Sequence, residues 1–550
     1  MKRLPPRPDL GHLKKQAKDL LASYRSGHPE ALARFRAALP AAAGHGDAAI
    51  AAMGLKLHDA QSCLAREHGF AAWPDFQGFV LARRALVDDP ERATLQWLRL
   101  VYAGDIAGGN HSARPQLAER LWTDGAMAVG DDLWIACAVG DEARLRQAIT
   151  QDAGWVHRPG GPLQLPPLIA VAHSSLARRP VFADGLQACV ALLLGAGADA
   201  NQRVGNRWPP ASLSAPDESE GLSALYGAAG QNQHAGMARL LLAAGADPND
   251  GESLYHALGS LECTRLLLEA GARIAGSNAL YRVLDLDDLP ALQLLLAHGA
   301  DANGQAGDGV APGGAAPLLW AIRRRRSLAH VQALVAAGAN PADRTADGAP
   351  AHIQALRYGL PEVAAFLRER MGAPEAPTDE RFVAACAQGD GAQARALLAE
   401  APGLAEGLTA PQQRLLPELA AQGCGDAVRL MVRLGWPIDA KGGDWDGTAL
   451  HLALFRGDAA LTRFLLEHGA RWQALHGFQD NACGALSWGS INTPEPGGDW
   501  VGCAQALLDH GLPAASPDPK GSEAVLLDGR LMRFSDEVMD CLLQAAAPLR

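Results

Sequence analysis

Four consecutive arginines, Arg323-Arg324-Arg325-Arg326, form the sharpest charge run in the chain. Guanidinium forks match carboxylates and phosphates, so the run suits contact with an anion or an acidic protein. The same cations would also sit well at a helix C-terminus, where the backbone dipole contributes about 0.3–1 kcal/mol to each. Both readings stand at this level. Two further stretches combine aromatic and acidic side chains. They are Trp208-Pro209-Pro210 with Asp217-Glu218-Ser219-Glu220, and Asp444-Trp445-Asp446 just ahead of Thr448. An exposed Trp445 would favour contact with a partner; a turn that packs its own ring is the other reading. His173 and Ser174 are adjacent, but neighbours on a helix point apart, so no catalytic dyad follows.

Gly195-x-Gly197-x-x-Ala200 imitates a dinucleotide fingerprint. It follows Ala191 to Leu194, which read as the end of a helix, whereas that fingerprint needs a strand before it and a helix after it. No phosphate-binding loop, H-E-x-x-H, G-x-S-x-G or zinc spacing occurs. The sequence therefore implies no catalytic residue, no cofactor and no metal site. The nine cysteines include no C-x-x-C pair. Cys137, Cys189, Cys386 and Cys503 fall on helical faces where alanine would also fit, as small buried residues do in a reducing compartment. The first residues lack the apolar core of a signal peptide, and no run of 18 apolar residues exists, so a cytoplasmic protein off the membrane is expected. Net charge is −11 over 550 residues; residues 1–40 carry +6 and the remainder −17. That is no nucleic-acid signature.

The elements that must position these residues are short helix pairs. Thr448 stands where an N-cap belongs, and Leu450, Ala453 and Leu454 line one face of the helix it starts. Gly457 stops that helix, Leu461, Phe464, Leu465 and Leu466 give the next one its apolar face, and Gly469 stops it in turn. Neither helix can bury its face alone, whereas stacked copies can.

Thr448-Ala449-Leu450-His451-Leu452-Ala453 resembles the signature of the ankyrin repeat. So do the endings Gly197-Ala198-Asp199-Ala200-Asn201, Gly245-Ala246-Asp247-Pro248-Asn249 and Gly299-Ala300-Asp301-Ala302-Asn303. Weaker copies bring the total to about ten, with stop glycines 48, 26, 28, 39, 34, 63, 34 and 42 residues apart; the 63 hides one degenerate copy around Ala384 to Gly403. The resemblance implies a mostly α, ankyrin-type α-solenoid of helix-turn-helix repeats with short β-hairpin or loop fingers. It also implies a structural His451. Residues 1–86 read as a helical N-terminal cap similar to a leader on many bacterial ankyrin proteins, and the Ala-, Arg- and Gly-rich composition suits a GC-rich bacterial genome. Residues 87–130 read as transitional helices, 131–519 as the array and 520–550 as C-terminal capping helices. Gln202–Gly221, Gln305–Ala316 and Leu475–Trp500 read as loops too long for plain fingers.

Aligned on that signature, inner-helix positions facing the concave groove include His173, Gln231, Trp320, Arg323, Gln354, Arg357, Tyr358, Glu418, Arg456 and Trp488. The partner-binding candidates are Trp320, Arg323, Arg324, Arg357, Tyr358, Arg456, Trp445, Trp488 and Trp208. The expected function is a monomeric, non-enzymatic scaffold for a protein partner, with no nucleic acid and no membrane. The alternatives are an enzyme with a pocket walled by the long insertions, and an immunity or chaperone protein for a toxin or effector. Exchanging Arg323 and Arg324 for Glu is expected to leave folding nearly intact.

Overall fold

The computed structural model describes residues 2–5, 7–89, 92–125, 132–304, 316–519 and 524–544. The chain divides into two compact units, Met1–Ala279 and Leu280–Arg550. Both are mostly helical.

The first unit begins with five helices, Leu10–Arg25, Pro29–Ala38, Asp47–Ala51, Leu57–Glu67 and Trp73–Asp88. Asp9 caps the first by accepting the His12 N–H at 2.8 Å. Leu13, Ala17, Phe35, Leu64, Trp73 and Phe76 are buried between them. Arg120, from the Pro115–Thr123 helix, lies 3.7 Å from the Phe70 ring centre and donates to the His68 and Gly69 carbonyls. The first five helices thus pack on the Pro115–Thr123 helix.

Helix pairs come next: Leu133–Val139 with Glu142–Gln151, Pro167–Ala172 with Pro180–Gly195, and Ser253–Ala257 with Leu261–Glu269. Gly140 ends an inner helix at φ 75°, and a side chain there would strike the backbone of Leu186, so neighbouring pairs approach closely at that point. The asparagines of the Gly-Ala-Asp-x-Asn endings bind pair to pair. Asn201 donates to the Gly245 carbonyl at 2.9 Å and accepts from the Asp247 N–H at 2.7 Å. Asn249 does the same with Gly271 and Arg273. Within the second unit Asn303 repeats the pattern with Gly338 and Asn340.

Among the described residues the second unit carries seven pairs, from Ala279–Leu286 with Leu289–Ala297 to Ala482–Asn492 with Trp500–Asp509. The degenerate copy is the pair Thr378–Ala387 and Gly391–Glu400. In the Ala449–Arg456 helix, His451 Nδ1 accepts the Thr448 backbone N–H at 3.1 Å and lies 2.8 Å from its hydroxyl. The ring is fully buried.

Three expectations need correction. Gln202–Gly221 is not simply a loop: Arg203–Asn206 and Asp217–Ser223 pair as an antiparallel hairpin, with Val204 opposite Leu222. Leu475–Trp500 contains the inner helix Ala482–Asn492, capped by Asn481. Its buried stripe, Ala482, Ala485, Leu486 and Gly489, is hidden in the sequence because Trp488 and Ile491 on the exposed face are apolar too; Gly489 lies against the Phe455 carbonyl, where a side chain would clash. At the C-terminus, a hairpin of Val525–Leu527 and Arg530–Met532 precedes one helix, Asp536–Gln544, in place of capping helices alone. The 305–315 stretch lies outside the described residues.

Candidate functional site

A groove of about 960 Å³, lined by charged and apolar side chains together, runs through the second unit. Its floor comes from the inner helices Pro317–Arg323, Ala351–Arg357 and Leu415–Ala421, and its walls from the loops 343–347 and 443–446. Helix spacing puts Leu319 and Arg323 one turn apart on one face, and Gln354, Arg357 and Tyr358 on the next. Leu415 and Glu418 continue the row.

The arginines are held by carboxylates. Arg323 makes a two-pronged contact with Glu418 at 3.1–3.2 Å and reaches Asp444 at 2.9 Å. Arg357 grips Glu380 at 2.6 and 2.9 Å and Asp347 at 2.7 Å. Gln412 donates a further hydrogen bond to Glu380 at 3.1 Å. Burial alone would pull both guanidinium groups down, but the adjoining carboxylates outweigh it and hold them above the ordinary arginine value. Arg324 lies outside the groove lining; it pairs with Asp285 at 2.7 Å and Asp444 at 2.9 Å, and covers the Trp320 ring at 4.3 Å. Trp320 is buried and donates to Asp285 at 3.0 Å.

This overturns the expectation that reversing Arg323 and Arg324 would spare the fold. Neither is a loose cation at a helix end; Glu in their place would set like charges against Glu418, Asp444 and Asp285.

Of the nine candidates, the groove gathers Arg323, Arg357, Tyr358 and Trp445. Tyr358 is buried, which raises its phenol above the ordinary value. Trp445 is half-buried, its ring 4.9 Å from His476 and 5.9 Å from Phe455. Arg456 pairs with Glu495 at 2.7 Å and donates to the Ala421 carbonyl. Trp488 stacks on Phe455 at 4.7 Å, leaving 49% of its surface exposed. Trp208 belongs to the first unit and is also exposed. The groove residues missed from sequence are Asp343, Arg344, Asp347 and Phe478. The Asp347-Gly348 turn was the available signal for that finger.

All nine cysteines are free, and burial pushes the Cys63, Cys189, Cys386, Cys483 and Cys503 thiols up to about 12, so they are protonated at neutral pH and poor nucleophiles. Among the described residues, no group of three or more His, Cys, Asp or Glu could hold a metal ion, and no helix is long and apolar enough to cross a membrane.

Helix pairs, glycine stops and asparagine bridges define ankyrin-type repeats, and comparison with known proteins agrees: residues 220–252 match the ankyrin-repeat family model. The crystal structure of the human ASB11 ankyrin repeat domain is similar at 22% identity, covering 43% of this chain and 99% of that one, with a TM-score of 0.21. No curated protein matches. Residues 220–252 thus carry an ankyrin repeat, and such repeats generally mediate protein–protein interaction.

Proposed function

We propose that the chain is a non-enzymatic scaffold that binds a segment of a protein partner along the groove of the second unit. The observation that carries this reading is the groove itself. It is open and of mixed polar and apolar lining, its walls are fixed in advance by ion pairs, and Phe478 projects at its margin with 78% of its surface exposed. Fixed side chains lose little entropy on binding, and an exposed aromatic rim is a ready anchor. Arg344 and Arg414, exposed on the lining, offer charge to acidic residues of the partner. The 1–86 leader serves as a cover for the end of the first unit's repeats. The free buried thiols suit a cytoplasmic setting. A toxin or effector neutraliser is the narrower case, favoured by the −17 charge beyond residue 40 if the partner is basic.

Affinity capture from native lysate tests this, with the full chain as bait beside Phe478→Asp and Arg414→Glu baits. Both residues are exposed, so folding is spared. A stoichiometric partner recovered by the unaltered bait and lost with both variants is the expected result. Equal recovery by all three baits would refute groove binding.

A further inference from the structure

A second polar cavity, of about 420 Å³, opens in the first unit beside the 203–223 hairpin. That size is within the range of small-molecule sites, about 300–1,000 Å³. Asp105 lines it and is 9% exposed. Its Oδ2 accepts from Tyr226 Oη at 3.2 Å and Gln231 Nε2 at 2.5 Å. Its Oδ1 is shielded from solvent and has no hydrogen-bond partner among the described residues. A buried carboxylate oxygen left in that state is costly unless a donor or cation arrives.

The surroundings hold Asp105 in place. Arg207, itself buried, donates its backbone N–H to the Asp105 carbonyl at 2.8 Å and its guanidinium to the Ile106 and Leu163 carbonyls at 2.7 Å. His173 fixes Gln231 through an Nδ1 to Oε1 contact of 3.0 Å, and its Nε2 lies 2.8 Å from the Ser223 carbonyl.

The helix that supplies Tyr226 and Gln231 is unusual. Tyr226–Gln231 is a π-turn, the only one among the described residues, and such turns gather at functional sites. Ser223-Ala224-Leu225-Tyr226 also occupies the place that Thr448-Ala449-Leu450-His451 holds in its own repeat. There His451 turns back to cap its helix; Tyr226 instead reaches out to Asp105.

At the cavity mouth stands Arg178. It donates to the Gln231 carbonyl and to Asn232 Oδ1, both neutral, and no carboxylate of the described residues lies within ion-pair distance. Partial desolvation pulls its guanidinium down from the ordinary value without an acid to offset it. The lining therefore holds an unsatisfied carboxylate oxygen inside and an arginine without a counter-ion at the rim. Trp208 and His256 add aromatic faces, which attract a cation.

We propose that this cavity binds a small zwitterion of the free α-amino-acid class, its ammonium at the Asp105 carboxylate and its carboxylate at Arg178. The site lies within the first unit and does not depend on the groove reading.

Titration calorimetry of the full chain with the standard free L-amino acids is the test. Each amino acid that binds is repeated as its carboxyl amide and as its N-acetyl derivative, and against Asp105→Asn and Arg178→Gln. Asparagine keeps an acceptor for Tyr226 and Gln231, and a melt confirms that variant's fold. Arg178→Gln gives up contacts to Gln231 and Asn232, so a melt confirms that variant's fold as well. At least one free amino acid binds, and each derivative and each variant weakens it by about tenfold to a hundredfold, the worth of one charge-assisted hydrogen bond. No binding by any amino acid overturns the proposal. So does equal affinity for the amide, for the N-acetyl form, or for either variant.

Discussion

Protonating His451 should destabilise the second unit. Its ring is fully buried, and burial, with some repulsion from His476, lowers its pKa from 6.5 to about 4. Nδ1 can accept the Thr448 N–H only while it carries no proton. Unfolded, the same ring titrates at the ordinary value. Between the two values the unfolded chain therefore binds one more proton, and stability rises with pH. The contribution is complete above pH 6.5 and falls as pH drops towards the folded value. At about 1.4 kcal/mol per pH unit, acidification from about pH 7 to 5 should cost about 2 kcal/mol through this ring. The assay is urea unfolding followed by circular dichroism across that range, for the unaltered chain and for His451→Gln. Glutamine keeps an acceptor for Thr448 but does not titrate, so the other histidines cancel in the difference. Stability curves that run parallel within about 0.5 kcal/mol would refute the reasoning.

Two further outcomes follow from packing and charge. Leu465, fully buried in the Ala459–Glu467 helix, should cost about 2–5 kcal/mol when changed to Ala; thermal melts shifted by less than about 0.5 kcal/mol would place it outside the core. Arg357→Met should destabilise by about 3–5 kcal/mol, because Glu380 keeps its charge with only Gln412 to bond it. Adding Glu380→Leu should recover much of that loss in urea melts, and an unrescued double variant would show that packing, not the stranded charge, sets the cost.

What the sequence determined was local. Asp9 and Thr448 mark helix starts, and the structure begins helices at Leu10 and Ala449. Caps, glycine stops and helical periodicity each involve residues within a few positions, so one chain suffices to read them. The sequence places the degenerate copy around Ala384 to Gly403, where the structure has the pair Thr378–Ala387 and Gly391–Glu400. The Ala482–Asn492 helix was not legible except at Trp488, because its exposed face is apolar as well and Gly489 answers to the Phe455 carbonyl of another repeat. Nor was the state of the arginines: the run is visible as charge, but Glu418 lies 95 residues from Arg323 and only folding makes them a pair. The cavity in the first unit shows this most sharply. Asp105 meets Tyr226 and Gln231 across 121 and 126 residues. No periodicity links such positions, so tertiary packing alone decided which carboxylates are neutralised and which is left with a free oxygen.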